Sequence, residues 1–266
     1  SLVALKYHVP GSTIVYVSLI STLYKIQEGL NKLGIRPLVY HGDLERRQRM
    51  RMQENFMTAD DEWILATPAF GLGINKPNIR QVIHAETPGS IEAYYQEVGR
   101  AGRDGLLAEC TFLYDPEDLP TQMEFINWAN PDTEYIRAIF AELKNNLSIV
   151  KQRGLDFLRE RMNFYNRRDF RVETVMNLLE RFDIIEWPNH DSKRLQIIGD
   201  IEQLDLNTEM NSQRKMSLLS KLQQMMDWAK STECRKKYIY QYFGVNNTGN
   251  CGSCDNCKKL AETAST

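Results

Sequence analysis

The sequence predicts an α/β protein in which a lobe built on a parallel sheet precedes a mostly helical region. That region contains a winged-helix-like segment and a four-cysteine zinc module. Short apolar runs alternate with helical patterns up to about residue 115, helix and hairpin patterns follow, and four cysteines cluster near the C-terminus. We predict four segments: the lobe at 1–118, a helical linker with the winged-helix-like domain at 119–205, a helix plus zinc module at 206–259, and a disordered tail at 260–266.

The first segment alternates between strand and helix patterns. Five short apolar runs read as strands, at residues 13–19, 36–41, 62–67, 81–85 and 108–114. Apolar residues at helical spacing predict helices at 21–32, 45–57 and 91–99. In a parallel sheet the working residues lie at the carboxyl ends of the strands, which makes Ser18, His41 and Thr67 candidate ligand contacts. The alternative for Ser18 and His41 is a lone polar residue at a strand end.

The region after residue 115 is mainly helical. Residues 116–145 read as helix with a break at Asn130-Pro131, and 154–163 and 172–182 also have helical spacing. Residues 184–187 and 195–198 flank a turn and read as a hairpin. The order helix, helix, hairpin is that of a winged helix. Residues 211–232 form one helical pattern that leads into the cysteines.

The segment at 95–105 carries two arginines, Arg100 and Arg103, among three glycines. We expect their spacing to place both guanidinium groups on one helical face, where they match a polyphosphate that gains negative charge. The glycines let the backbone turn sharply or approach another group closely. The segment therefore indicates a phosphoryl-transfer site, the alternative being a solvated helical face. The sequence shows neither a G-x-x-x-x-G-K-[ST] phosphate loop nor a carboxylate pair for magnesium.

Four of the five cysteines follow the spacing C-x16-C-x2-C-x2-C, namely Cys234, Cys251, Cys254 and Cys257. Four thiolates are the usual ligands of a closed, tetrahedral structural zinc site, and a C-x2-C pair in a tight turn brings two sulfurs to one metal. The alternatives are two disulfides or four unrelated thiols. A closed site leaves no open coordination position, so the zinc is expected to be structural.

Composition and charge limit the function classes. The chain has 33 basic and 35 acidic residues, a formal balance of −2, so a nucleic-acid partner must bind local basic patches. No apolar run approaches the length of a transmembrane helix, and we expect no membrane partner. No signal peptide is visible.

Several runs resemble motifs of the RecQ-family DNA helicases. Residues 66–80 (ATPAFGLGINKPNIR) resemble motif V, 94–105 (YYQEVGRAGRDG) motif VI, and 39–42 (VYHG) motif IVa. Residues 234–244 (CRKKYIYQYFG), followed by 251–257 (CGSCDNC), resemble the family's zinc-binding subdomain.

The resemblance covers residues 1 to about 118 and 211–259. Motif VI alone also fits DEAD-box RNA helicases and the repair and remodelling helicases of the same superfamily. The run at 70–77 and the cysteines favour the RecQ family.

The resemblance implies that ATP and Mg²⁺ bind between two RecA-like lobes, mainly on the first, and that this chain contains the second. Arg100 and Arg103 are then arginine fingers that reach the γ-phosphate, and Gln96 couples the nucleotide state to lobe closure. We assign Gly73 and Asn75 of motif V to the same coupling.

The nucleic-acid contacts are inferred in the same way. Thr67 and Ser18 are expected to touch the DNA backbone, and His41 is a further candidate. The sequence departs from the family at residues 16–20, where Tyr-Val-Ser-Leu-Ile replaces the frequent Tyr-Cys-x-Ser-Arg. A second departure is the stretch of about 90 residues before Cys234, which we interpret as a winged helix inserted into the helical hairpin of the zinc module.

A basic segment at 151–171 is a candidate duplex contact. It holds seven basic and three acidic residues, with aromatic side chains among them. Cations with aromatics suit phosphate contact and base stacking. We single out Arg167 and Arg168, the alternative being a solvated helix whose aromatics belong to the core.

Together these observations predict the C-terminal portion of an ATP-dependent 3′-to-5′ DNA helicase that acts on single-stranded and forked DNA in replication, recombination or repair. The polarity comes from the resemblance alone. The expected partners are DNA and the first RecA-like lobe of the same protein. We expect a cytoplasmic, nucleoid-associated protein if bacterial and a nuclear one if eukaryotic. The alternatives are a non-enzymatic DNA-binding adaptor with a decayed lobe, and a lobe of an RNA helicase.

Overall fold

The computed structural model describes residues 10–71, 73–163, 169–203, 208–246 and 249–264. The chain divides into two compact units. Unit 1 comprises Ser1–Gln122 and Lys221–Thr266, and unit 2 comprises Met123–Ser220. The four cysteines therefore lie in the same unit as the parallel sheet, whereas the sequence analysis had given them a segment of their own.

A five-stranded parallel sheet forms the centre of unit 1, as the sequence predicted. Its strands are β1 (Ser12–Tyr16), β2 (Leu38–Tyr40), β3 (Trp63–Ala66), β4 (Ile79–His84) and β5 (Glu109–Phe112). Their order across the sheet is β2-β3-β1-β4-β5, and every neighbouring pair is parallel. Most strands are shorter than the apolar runs in the sequence, because the chain leaves the ladder within a few residues at the carboxyl edge.

Helices cover both faces of this sheet because successive strand residues point to opposite sides. On one face, Ile14 and Tyr16 pack with Phe56 and Phe70. The other face buries a second apolar cluster, which contains Val15, Val17, Leu23, Leu30 and Leu65.

The helices of the sheet region are α1 (Ile20–Lys32), α2 (Arg46–Thr58) and α3 (Ile91–Val98). Helix α3 begins where the Ser90 hydroxyl accepts a hydrogen bond from the backbone N–H of Ala93 at 3.1 Å, a regular N-cap. It ends at Val98, with Gly99 as its C-cap. The arginine-bearing segment therefore begins immediately beyond this short helix.

Unit 2 is a helical cluster that ends in a small hairpin. Helix α4 (Leu119–Ala129) leads into it, followed by α5 (Thr133–Asn145), α6 (Leu147–Arg153), α7 (Asp156–Met162) and α8 (Arg171–Arg181). Strands β6 (Ile185–Glu186) and β7 (Gln196–Ile197) then pair antiparallel. The predicted order of helix, helix and hairpin is present. Helix α8 buries four apolar residues at helical spacing: Val172, Val175, Met176 and Leu179.

Three helices complete the chain: α9 (Thr208–Lys230), α10 (Arg235–Tyr242) and α11 (Asp255–Ala264). The prediction of a disordered tail after Lys259 was wrong for residues 260–264, which continue α11. That helix is fixed at its start, where Asn256 donates hydrogen bonds to the carbonyls of Ser231 and Glu233 at 2.8 and 2.7 Å. None of the helices in the described ranges is long and apolar enough to cross a membrane.

Candidate functional site

Three candidate nucleic-acid contacts lie at one edge of the sheet. His41 and Thr67 directly follow β2 and β3, and Ser18 lies two residues after β1. These three strands are neighbours in the sheet. The backbone N–H of Thr67 donates to the Tyr40 carbonyl at 3.1 Å, so the β2 and β3 ends are hydrogen-bonded to each other. The structure thus brings these three positions together, as expected for the carboxyl ends of parallel strands.

A fourth side chain at this edge, Glu86 after β4, was missed by sequence reasoning. Its Oε2 accepts hydrogen bonds from the backbone N–H groups of Ser18 at 2.6 Å and Leu19 at 2.9 Å. These groups open helix α1, so the carboxylate occupies a site that attracts anions. The Ser18 hydroxyl in turn accepts from Gln122 Nε2 at 2.7 Å, which leaves its own proton available for a phosphate oxygen. The strand-end rule that selected Ser18 would also have found Glu86.

His41 is less accessible than the sequence suggested. Only 4% of the residue is exposed, and its Nε2 lies 3.0 Å from the hydroxyl of Tyr24. Tyr24 is exposed on α1 and is the group through which His41 reaches the surface. Nothing in the linear sequence marks Tyr24, because it contacts His41 across 17 residues.

Arg100 and Arg103 lie in tight turns after α3, so the expectation that they share a helical face was wrong. The helix stops at Val98, and Gly102 and Gly105 adopt φ values of +62° and +81°. These left-handed conformations end a helix at little cost only when the residue is glycine.

Both guanidinium groups turn back onto the loop between β3 and β4, which is called the motif V loop below. Arg100 Nη1 donates to the Gly71 carbonyl at 2.5 Å. Arg103 Nη1 donates to the Ile74 carbonyl at 3.0 Å and to Asn75 Oδ1 at 2.9 Å. The structure therefore joins motifs V and VI through the residues that the sequence singled out.

The other residues predicted to couple the nucleotide differ in their contacts. Gly73 adopts φ +84° and makes the turn between the two arginine-contacting carbonyls. Gln96 is exposed on α3, one turn before Arg100.

Arg80 and Asp104 stabilise the turn that carries the arginines. The Arg80 guanidinium donates to both carboxylate oxygens of Asp104, and Asp104 Oδ1 also accepts from the backbone N–H of Leu106 at 3.1 Å. The hydrogen bonds from Arg80 lower the pKa of Asp104 below its ordinary value. Sequence reasoning missed this pair, although both residues lie within motifs V and VI.

Lys76, also in motif V, is 3% exposed and has a structural contact. Its ammonium group donates to the carbonyl of Ala59, which caps the C-terminus of α2, and lies 5.6 Å from the centre of the Phe56 ring. Burial lowers the pKa of Lys76, while the nearby carboxylates of Asp60 and Glu62 act in the opposite direction. A cation at the end of α2 complements the helix dipole.

The four cysteines converge in space, and their sulfur atoms all lie within 4.8 Å of one another. A tetrahedral zinc with Zn–S bonds of about 2.3 Å requires sulfurs about 3.8 Å apart. Cys234 and Cys257 are buried, and Cys251 and Cys254 are half-buried. The donor set and its spacing therefore fit a structural zinc ion.

Although burial acts in the opposite direction, hydrogen bonds lower the pKa values of Cys234 and Cys251 and favour their thiolates, whereas burial raises the pKa of Cys257 to about 12. Backbone N–H groups donate to the sulfur of Cys234 from Cys251 at 3.2 Å, and to that of Cys251 from Cys254 at 3.4 Å. Burial raises the pKa of Cys251, but the hydroxyl and N–H of Ser253 and the N–H of Cys254 outweigh it, and the pKa falls to about 6. Such donors orient metal ligands and stabilise their charge.

The cysteine module packs on the outer side of α3 within unit 1. The Trp228 ring lies 4.6 Å from that of Tyr94, and Lys221 forms a 2.6 Å ion pair with Glu92. Arg235 ties this contact to the cysteines, since its guanidinium bonds Asp255 and the carbonyl of Trp228. The zinc module therefore packs against α3, and the arginine-bearing turns continue from the C-terminal end of the same helix.

The basic segment is more neutral than its local count suggested. Four of its arginines form ion pairs with carboxylates, two of which lie outside the segment, at Glu142 and Glu173. The paired arginines are Arg153, Arg159, Arg161 and Arg171. Arg167 and Arg168 lie outside the described residues, so their role in duplex binding stays a prediction.

Two family models match the chain. "Helicase conserved C-terminal domain" matches residues 1–105, and "RecQ zinc-binding" matches residues 190–258. The first match contains strands β1 to β4, and the second contains the four cysteines. Together these matches support a RecQ-family helicase C-terminal half.

Curated relatives agree with this assignment. The ATP-dependent DNA helicase RecQ of Bacillus subtilis is 45% identical over 109 residues, which is 41% of this chain and 18% of that protein. The ATP-dependent DNA helicase hus2/rqh1 of Schizosaccharomyces pombe is 34% identical over 179 residues, 66% of this chain and 12% of that protein. The aligned part of this chain thus spans less than a fifth of the length of each of these relatives.

Among solved structures, the C-terminal domain of the DEAD-box protein Dbp5 aligns with a TM-score of 0.38 at 22% identity, over 46% of this chain and 73% of that one.

Proposed function

We propose that this chain supplies the second RecA-like lobe and the zinc module of an ATP-dependent DNA helicase with 3′-to-5′ polarity. The observation that carries the proposal is the convergence of Arg100 and Arg103 on the motif V loop, beside the strand ends that hold Ser18 and Thr67. The motif V loop is therefore hydrogen-bonded to both candidate arginine fingers, and it begins at Thr67, a candidate DNA contact. The helicase names of the relatives support the same assignment.

The two arginines act on a nucleotide held by the other lobe. When water attacks the γ-phosphorus and the bond to the β–γ bridging oxygen breaks, negative charge spreads over the phosphoryl oxygens. Guanidinium groups aimed at these oxygens stabilise that charge, and removal of an arginine finger typically costs 10³–10⁵-fold in rate. Gln96 links the nucleotide to lobe closure. Because the chain shows no phosphate loop or magnesium carboxylates, we propose that it does not hydrolyse ATP by itself.

The sheet edge contacts the DNA backbone without reading sequence. Hydroxyl groups at Ser18 and Thr67 donate to phosphate oxygens, and the Tyr24–His41 pair adds a further donor. Arg167 and Arg168 contact duplex DNA next to the fork. Zinc, held by the four cysteines, contributes folding free energy to the module.

The test compares strand separation by the full-length protein on matched DNA and RNA forks. We expect ATP-dependent opening of the DNA fork, and a loss of at least about 10³-fold in DNA-stimulated ATP hydrolysis for Arg100→Ala and for Arg103→Ala. Arg51→Ala, which removes an exposed arginine of α2, is the matched control. DNA binding without ATP hydrolysis would instead identify an adaptor, and opening of RNA forks alone an RNA helicase.

A second experiment addresses the duplex contact. The double variant Arg167→Glu, Arg168→Glu should weaken duplex binding and reduce its salt dependence, because fewer counterions are released. Arg181→Glu, an exposed arginine of α8, reverses a charge of the same kind elsewhere in unit 2 and should have little effect. Equal effects of the two changes would remove the assignment to Arg167 and Arg168.

A further inference from the structure

Tyr16, the last residue of β1, is buried to 98% beneath the motif V loop. Its hydroxyl donates a hydrogen bond to the carbonyl of Phe70 at 3.0 Å. The flat face of its ring stacks on His84 at 5.4 Å between centres, with an angle of 24° between the planes. These contacts fix both the ring and the hydroxyl of Tyr16.

The Arg100 guanidinium is anchored next to this contact. It donates a hydrogen bond to the carbonyl of Gly71, the residue that follows Phe70. The Tyr16 hydroxyl therefore fixes the loop at the carbonyl directly before the one that receives Arg100. Burial raises the pKa of Tyr16 far above its ordinary value, although Arg100 lowers it, and the hydroxyl therefore keeps its proton at neutral pH.

Arg100 is also fixed from the helix side. Its backbone N–H donates to the Glu97 carbonyl at 3.3 Å, and the Glu97 carboxylate lies 2.7 Å from His84 Nε2 in a buried pair. His84 is the residue on which Tyr16 stacks. The backbone of Arg100 and the loop that receives its guanidinium are therefore both tied to one connected cluster of Tyr16, His84 and Glu97.

We propose that Tyr16 is a positioning residue for Arg100. By fixing the loop that receives the guanidinium, it keeps this group in place for the γ-phosphate while the nucleotide-bearing lobe closes. This rests on the proposed function, in which Arg100 acts on the γ-phosphate. Preorganised donors lower an activation barrier because they need not be reordered as charge develops. The ring packs in the core, and the hydroxyl alone fixes the Phe70 carbonyl, next to the carbonyl that receives Arg100.

The test is Tyr16→Phe in the full-length protein, which removes the hydroxyl and keeps the ring. We expect kcat for DNA-stimulated ATP hydrolysis to fall by up to about 10-fold, the effect of losing one hydrogen bond that fixes the loop holding Arg100. KM for ATP should change by less than about twofold, because the arginine acts mainly in the transition state. The matched control is Tyr40→Phe, which removes a hydroxyl from another buried tyrosine whose ring lies 4.9 Å from Phe70.

The outcomes separate this inference from the function on which it rests. An unchanged kcat in Tyr16→Phe, with Arg100→Ala inactive, overturns the role of Tyr16 and leaves the arginine finger in place. Normal turnover of Arg100→Ala overturns the proposed function itself. Equal losses in Tyr16→Phe and Tyr40→Phe, or a Tyr16→Phe protein that does not fold, would assign the hydroxyl to core stability and also refute the inference.

Discussion

Gly71 offers a way to displace one arginine while leaving the fold intact. A Cβ atom added at Gly71 would lie 2.6 Å from Arg100 Nη2, whereas ordinary contacts begin at about 3.4 Å. The guanidinium must therefore move by about 0.8 Å in Gly71→Ala. It can do so, because it is the end of a flexible side chain and not backbone. A misplacement of about 1 Å at a reacting centre can cost about 10²-fold in rate.

The expected stability change is small, since two effects of Gly71→Ala oppose each other. Weakening the hydrogen bond from Arg100 to the Gly71 carbonyl costs about 1 kcal/mol. Replacing glycine with alanine restricts the unfolded chain and returns about 0.4–1 kcal/mol. We expect a melting temperature near that of the wild type, together with single-turnover ATP hydrolysis reduced by about 100-fold in the full-length protein.

Gly34→Ala is the matched control, which should lower stability without changing ATP hydrolysis by the full-length protein. Gly34 follows α1 with φ +84° and has no atom within 4 Å of its added Cβ, so the methyl group creates strain without a clash. Forcing alanine into this left-handed region costs about 1–2 kcal/mol, which should lower the melting temperature by a few degrees and leave ATP hydrolysis unchanged. Wild-type hydrolysis in Gly71→Ala would refute the placement of Arg100 against the motif V loop.

Three further changes test the stability of unit 1. Cys257→Ser should lower bound zinc well below about one ion per chain and destabilise the protein, because metal binding contributes folding energy; metal analysis and thermal unfolding check this, with Cys110→Ser as control. Trp228→Ala should cost about 3–5 kcal/mol in urea unfolding, as for other buried aromatics, and a loss below about 1 kcal/mol would contradict the packing on Tyr94. For Asp104→Asn, the pKa of Asp104 is lower in the folded state, so its pairing with Arg80 stabilises the protein above the ordinary carboxyl pKa and is lost as pH falls through the folded value. The melting temperatures of wild type and Asp104→Asn should therefore differ at pH 7 and converge in acid, once the pH falls below the folded pKa of Asp104. A difference in melting temperature that persists there would exclude the ion pair as its cause.

The sequence predicted the elements that depend on local pattern. Apolar runs located all five strands of the parallel sheet, and the break at Asn130-Pro131 separates α4 from α5 as expected. The cysteine spacing predicted a cluster that the structure assembles. These successes share a cause, because each signal is carried by residues within about 20 positions of one another.

The contacts that the sequence did not predict join residues that are distant in sequence. The helix ends that it predicted wrongly are those where turn-forming and helix-forming residues lie side by side. Glu86 caps α1 across 67 residues, and Tyr16 meets the Phe70 carbonyl across 54. No periodicity reports such contacts. Arg100 and Arg103 have helical spacing, but the glycines around them favour turns, and the turn geometry prevails. The tail after Lys259 is polar, yet the anchoring of Asn256 propagates α11 through it.

Helix α3 explains why a zinc module and a pair of arginines belong to one unit. It has only eight residues, and a helix this short is marginal without tertiary contacts. Glu97 fixes it to His84 of the sheet on one side, while Tyr94 packs on Trp228 of the zinc module on the other. The turns that carry the arginines start where this helix stops, so their position depends on both attachments. Loss of zinc should therefore impair ATP hydrolysis by the full-length protein as well as folding, because α3 loses its support on one side.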